Sequence, residues 1–97
     1  MESFIVVCTF TPETDMADVM TVVAEEQAKV AELQKLGSIG AVYLATRDRR
    51  TVFLEIFADT ADKARDTVLS LPMSKWWDLD IFPLNAPVAG NSADGQS

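Results

Sequence analysis

The stretch Phe4-Ile5-Val6-Val7-Cys8-Thr9-Phe10 governs the reading of the whole chain. It is rich in aromatic and β-branched residues, and alternate positions split into Phe4, Val6, Cys8 and Phe10 on one face and Ile5, Val7 and Thr9 on the other. Both sets are apolar. A strand of this kind is covered on both sides, so it belongs in the middle of a sheet. Thr11, Pro12, Glu13 and Thr14 end it.

Downstream, Asp15 suits a helix N-cap, and Asp18 falls in the first turn, where the helix dipole favours negative charge. The pattern from there to Leu36 predicts one long helix with Met16, Val19, Val23, Val30 and Leu33 along one stripe, stopped by Gly37. Ile39 to Thr46 and Thr51 to Phe57 read as a hairpin. Its tip holds Arg47, Asp48, Arg49 and Arg50, which read as a solvated turn with no site role. Asp59 or Thr60 caps a shorter helix that turns Ala61, Ala64, Val68 and Leu71 inward and ends at Pro72. Trp76 and Trp77 fall in the connection. A last strand runs from about Asp78 to Leu84, and Pro83 marks it as an edge strand, because proline has no ladder donor.

The order strand, helix, strand, strand, helix, strand predicts an α+β, ferredoxin-like βαββαβ fold: an antiparallel sheet with two helices on one face. Residues 1–84 form the domain, and the small, polar segment 85–97 is expected to be a flexible tail. No helix is left for the second face of the sheet. A second copy of the chain is its expected cover, which makes the protein a homodimer or higher oligomer.

Composition supports that expectation. Ninety-seven residues make one small domain, yet 48% are hydrophobic and only 24% charged, a surplus that points to a buried interface. The net charge of −7 argues against nucleic acid or an anionic membrane as partner. The single cysteine, Cys8, cannot form an internal disulfide and sits in an apolar run, where a thiol behaves as a small hydrophobe. The chain has no histidine, which removes Ser-His and Cys-His catalysis and histidine-based zinc sites. Gly37 and Gly40 bracket Ser38 and Ile39 without a phosphate-loop or dinucleotide pattern. No cofactor and no metal are expected. Met1-Glu2-Ser3 does not open a signal peptide, and residues 4–10 are too short to span a membrane, so the expected location is the cytoplasm.

Glu26 is the informative anomaly. At about 100° per residue it falls on the midline of the stripe formed by Val19, Val23, Val30 and Leu33. Burial there raises a carboxyl pKa toward neutrality and suits it to moving a proton. The alternative is a stripe that opens at its centre and lets Glu26 reach solvent or a structural arginine. Glu55 shares a strand face with Phe53 and Phe57, so it lines a pocket, sits at a subunit seam or is a partnered charge. Asp78 and Asp80 lie about 7 Å apart on one face of the last strand, a spacing open to a metal or to acid-base work but more typical of a solvated edge. Trp76 and Trp77, with Tyr43 and Phe82, suit either an aromatic pocket or plain core filling.

Ala24-Glu25-Glu26 in the long helix, Leu33-Gln34 with Gly37 at its end, Ser70-Leu71-Pro72-Met73, and Trp77-Asp78-Leu79-Asp80-Ile81 together resemble the muconolactone delta-isomerase family. The likeness covers roughly residues 3 to 84 and extends more loosely to YCII-type proteins and other dimeric α+β barrels. The YCII-type His-Asp pair has no counterpart in a chain without histidine.

The resemblance implies cofactor-free proton transfer on a small lactone, in a pocket between sheet and helices near a subunit contact. It puts Glu26 on the family's acidic helix position as base and then acid, with Glu25 beside it; Tyr43, Glu55, Trp76 and Trp77 join them as candidate substrate contacts on the strength of their own positions in the sequence. It also shows a departure. Ala41-Val42-Tyr43-Leu44 stands where muconolactone isomerases carry a basic, histidine-containing region, so a substrate carboxylate lacks an obvious partner. The ligand expected is therefore a small apolar or lactone-like metabolite. Two other readings stand beside the isomerase: a catalytically silent oligomer that binds a ligand or serves as a scaffold, and a cofactor-free oxygenase or cyclase.

Overall fold

β1 (Glu2–Phe10) lies inside a four-stranded antiparallel sheet, in a computed structural model that describes residues 1–44 and 50–84. It pairs with β3 (Thr51–Ala58) on one side and β4 (Trp77–Leu84) on the other, while β2 (Ile39–Leu44) pairs with the far side of β3. The order β2-β3-β1-β4, with helices between β1 and β2 and between β3 and β4, is the α+β ferredoxin-like arrangement expected from the sequence. The expected tail, and the hairpin tip with Arg47, Asp48 and Arg49, lie outside the described residues.

Register follows from the alternation in β1. Phe4, Val6 and Cys8 stand opposite Ile56, Leu54 and Val52, and all six are buried. Each such aliphatic side chain contributes about 1.5–3 kcal/mol on leaving water. The helices cover this face. α3 (Ala61–Leu69) turns Ala64 and Val68 into it, with Leu71 just beyond, and is capped by Thr60, whose Oγ1 accepts the Lys63 N–H at 3.1 Å. Ala61, expected to face inward, is exposed at the start of α3.

The long first helix is in fact two. α1 (Met16–Met20) begins where Asp15 Oδ1 accepts the Ala17 N–H at 2.9 Å, and it stops at Thr21. There the Thr21 hydroxyl donates to the Asp18 carbonyl at 2.6 Å, and the Thr21 and Val22 amides tighten onto carbonyls three residues back. Two consecutive β-branched residues, one with a hydroxyl competing for the backbone, favour such an interruption. α2 (Val23–Lys35) then restarts without a side-chain cap. It ends as expected: Gly37 takes a φ of +82°, and the Ser38 and Gly37 amides close onto the Leu33 and Gln34 carbonyls.

One irregularity in β2 controls the site. Ile39 pairs with Ile56 but Val42 pairs with Leu54, so β2 carries one extra residue, a bulge at Gly40 and Ala41. The Glu55 carboxylate occupies the space left there. Its Oε1 accepts the Ala41 N–H at 3.0 Å, while Gln34 Nε2 donates to the Gly40 carbonyl at 2.9 Å. A Cβ at Gly40 would strike the Glu55 carboxylate and come within 2.9 Å of the Phe57 ring. Beyond the bulge the alternation is inverted: Val42 and Leu44 share the helix side with Leu54 and Val52, and Tyr43 pairs with Phe53 on the other face.

Arg50, expected in the solvated tip, is half-buried, and its guanidinium donates to the Thr11 carbonyl at 2.6 Å. Trp77, expected in the connection, is the first residue of β4.

Candidate functional site

The apolar stripe survives the helix break because Val23, Glu26, Val30 and Leu33 all lie within α2. Glu26 is only 8% exposed, and among the described residues its carboxylate meets a backbone amide in place of an arginine. Its Oε1 accepts the backbone N–H of Met73 at 2.9 Å. Met73 belongs to a single 3-10 turn (Pro72–Trp76) opened by proline, and the first amides of such a turn have no internal partner. The carboxyl group therefore ties α2 to this turn.

Burial raises the Glu26 pKa above the usual carboxyl range, and the Met73 N–H opposes that shift by favouring the charged form. Cys8, on the helix side of β1, is pushed up to about 12, first by burial and then by the negative charge of Glu26. The thiol stays protonated at neutral pH and is no nucleophile.

Glu26 stands in the wall of a cavity of about 550 Å³ between the helices and the sheet. α1 supplies Met16, Val19 and Met20; α2 supplies Val23, Glu26, Gln27 and Val30. The floor is Phe10, Val42, Leu44, Val52, Leu54 and Trp77, and Met73 closes the side where Glu26 is anchored. All but Glu26 and Gln27 are apolar. Trp77 packs edge-on against Phe10, with ring centroids 5.8 Å apart. Its buried Nε1 is without a hydrogen-bond partner among the described residues, an uncommon state for an indole donor.

Of the residues singled out in the sequence, the structure brings Glu26 and Trp77 to this cavity and places the others elsewhere. Glu25 is exposed on α2. Tyr43 is carried to the opposite face of the sheet by the bulge, and Glu55 lies on that face as well, occupied with Ala41. Trp76 is outside the cavity wall, half-buried under the Lys75 ammonium, which sits 4.6 Å from its ring centre. Asp78 and Asp80 are exposed on β4. No group of three His, Cys, Asp or Glu side chains that could hold a metal ion occurs among the described residues.

Neither Gln27 nor Met73 stands out in the sequence as a site residue. Gln27 follows Glu26 directly, at the margin of the stripe, and its polarity concealed that position. Met73 had a usable signal, since Pro72 at the start of a turn leaves the next N–H free for a side-chain acceptor.

An antiparallel sheet roofed by helices, with one carboxyl group in the mostly apolar wall of the cavity beneath them, defines a small α+β protein. The chain belongs to the muconolactone delta-isomerase family, whose model matches residues 3–88. No curated protein matches it. No helix among the described residues is long and apolar enough to cross a membrane.

Proposed function

We propose that this chain is a cofactor-free isomerase that shifts a double bond in a small unsaturated lactone or ketone, with Glu26 as the proton shuttle. The observation that carries the reading is a carboxyl group of raised pKa, almost wholly buried in the wall of an apolar cavity. Family membership supports the reaction class.

The carboxylate takes the proton from the carbon next to the carbonyl, and the electron pair spreads over the diene and the carbonyl oxygen. The same carboxyl group returns the proton at the γ carbon, so the double bond moves and nothing is consumed. The Met73 N–H fixes one carboxyl oxygen and leaves the other to accept the proton and return it. With Tyr43 on the far face of the sheet, the amide of Gln27 is a side-chain donor in the wall for the carbonyl oxygen, beside the indole N–H of Trp77.

The exposed sheet face bears Ile5, Val7, Phe53 and Phe57 half-buried, with Tyr43 and Phe82 open. In this reading a second copy covers it, which accords with a family that is commonly oligomeric.

The Glu26–Met73 hydrogen bond also favours a second reading, in which Glu26 is a structural tie and the cavity only binds. Glu26→Gln separates the two, because the amide oxygen still accepts the Met73 N–H but cannot ionise. Proton NMR of muconolactone or an uncharged butenolide in deuterated buffer follows exchange at the α and γ carbons. Exchange with the native protein and its loss in the variant is the expected result. Equal exchange rates in both proteins would end the shuttle role.

A further inference from the structure

The charge pattern of the cavity narrows the ligand. Among the described residues the wall combines apolar side chains with one carboxyl group, and its other polar groups are the neutral Gln27 amide and the Trp77 indole N–H. α1, which supplies Met16, Val19 and Met20, also carries Asp15 and Asp18, and Glu25 stands exposed beside Glu26 on α2. An anionic ligand entering here would lose hydration, gain no countercharge from these wall residues, and meet a carboxyl group that cannot share an apolar site with it while both are charged. An uncharged ring meets none of these costs, because methionine, valine and leucine side chains welcome its carbon skeleton and a single amide can satisfy its carbonyl.

We infer that the cavity selects uncharged unsaturated lactones or ketones with an apolar substituent, and that Glu26 sets this selectivity by excluding carboxylate-bearing analogues. The inference rests on the reading of this cavity as the proton-transfer site. It parts from the substrate in the family's name, an acid, at the point where β2 supplies Val42 and Leu44 to the wall.

Muconolactone and its methyl ester differ in one charge and little else. Isothermal titration of the full chain with both, and with a butenolide bearing an alkyl chain, tests the inference directly. The two uncharged compounds are expected to bind at least about 10-fold more tightly than the free acid. Glu26→Gln, which keeps the tie to Met73, is expected to narrow that gap by strengthening binding of the acid. Equal or tighter binding of the acid by the native protein would overturn the inference. So would an unchanged gap in the variant, or failure of both uncharged compounds to bind at millimolar concentration. Binding is read without turnover, so the two claims fail separately. An ester that binds tightly without proton exchange upholds the selectivity and ends the isomerase reading; an acid that binds tightly and exchanges does the reverse.

Discussion

On the helix side of the sheet Val6, Cys8, Leu54 and Ile56 are fully buried, whereas on the other side Ile5, Val7, Phe53 and Phe57 are half-buried and Tyr43 and Phe82 are 63% and 52% exposed. The same strands supply both sets. A glutamate stands among apolar residues on each side, Glu26 on α2 over the covered face and Glu55 on β3 in the open one, and the two differ in what surrounds them. Glu26 is held in a cavity wall by one backbone amide, with its charge disfavoured by burial. Glu55 fills a bulge and accepts the Ala41 amide, and it stays half-exposed. Burial disfavours the charge of the first, as the proposed proton shuttle requires, and the bulge makes the second a piece of backbone geometry.

Exchanging the two glutamates for glutamine, one at a time, is the strongest way to break this comparison. Glu26→Gln should lower the rate of lactone proton exchange by about 100-fold or more, the range for loss of a positioned acid-base group. Glu55→Gln keeps an acceptor for Ala41 and should leave the rate within about two-fold, by the same reasoning. A large loss in the second variant with little in the first would move the chemistry to the open face.

Assembly offers the next largest effect. Phe82 lies on the open face of β4, opposite Ile5 of β1, and a charge there would have to be desolvated if a second sheet packs on it. Phe82→Asp should weaken self-association by about 10-fold or more in sedimentation velocity, since desolvating an unpaired charge costs more than 1.4 kcal/mol. Its helical circular dichroism should not change. An unaltered sedimentation coefficient would show that the open face is not where copies meet.

Alternation in β1, the Gly37 stop and a cap at Asp59 or Thr60 were all readable in the sequence, because each rests on local chemistry that tertiary contacts did not override. The break after Met20 was not. Val22 caps α2 with no side-chain hydrogen bond, so no Ser, Thr, Asp or Asn announced a second start, and the apolar stripe ran on across the gap. Tyr43 was misplaced for a related reason. Counting by twos from Ile39 puts it on the helix side, but the extra residue at Gly40 and Ala41 moves every later side chain of β2 to the opposite face. Glu26 was legible because its argument needs only the phase of one helix. Gly40→Ala tests the bulge: its Cβ would displace the Glu55 carboxylate or the Phe57 ring, and leaving the Ala41 amide unpaired should cost about 1–3 kcal/mol in urea unfolding. A neutral result would mean that β2 relaxes without Glu55.

The smallest effect expected is the dependence of stability on the charge of Glu26, because burial and the Met73 amide act in opposite directions. In the unfolded chain this carboxyl group titrates in the ordinary range, and in the folded chain it titrates higher. Below the unfolded pKa both states are protonated and pH has no leverage. As pH rises between the two values the unfolded chain releases its proton while the folded chain holds it, so stability falls. Above the folded pKa the loss is complete. Glu26→Gln lacks this term, so its stability relative to the native protein should improve as pH rises through that interval and then level off. Urea titrations of both proteins across the acidic range measure the difference, and contributions from all other carboxylates cancel to first order. A relative stability that instead worsens with rising pH would mean that the Met73 amide outweighs burial and holds Glu26 as an anion, a carboxylate better placed to anchor the turn than to carry a proton.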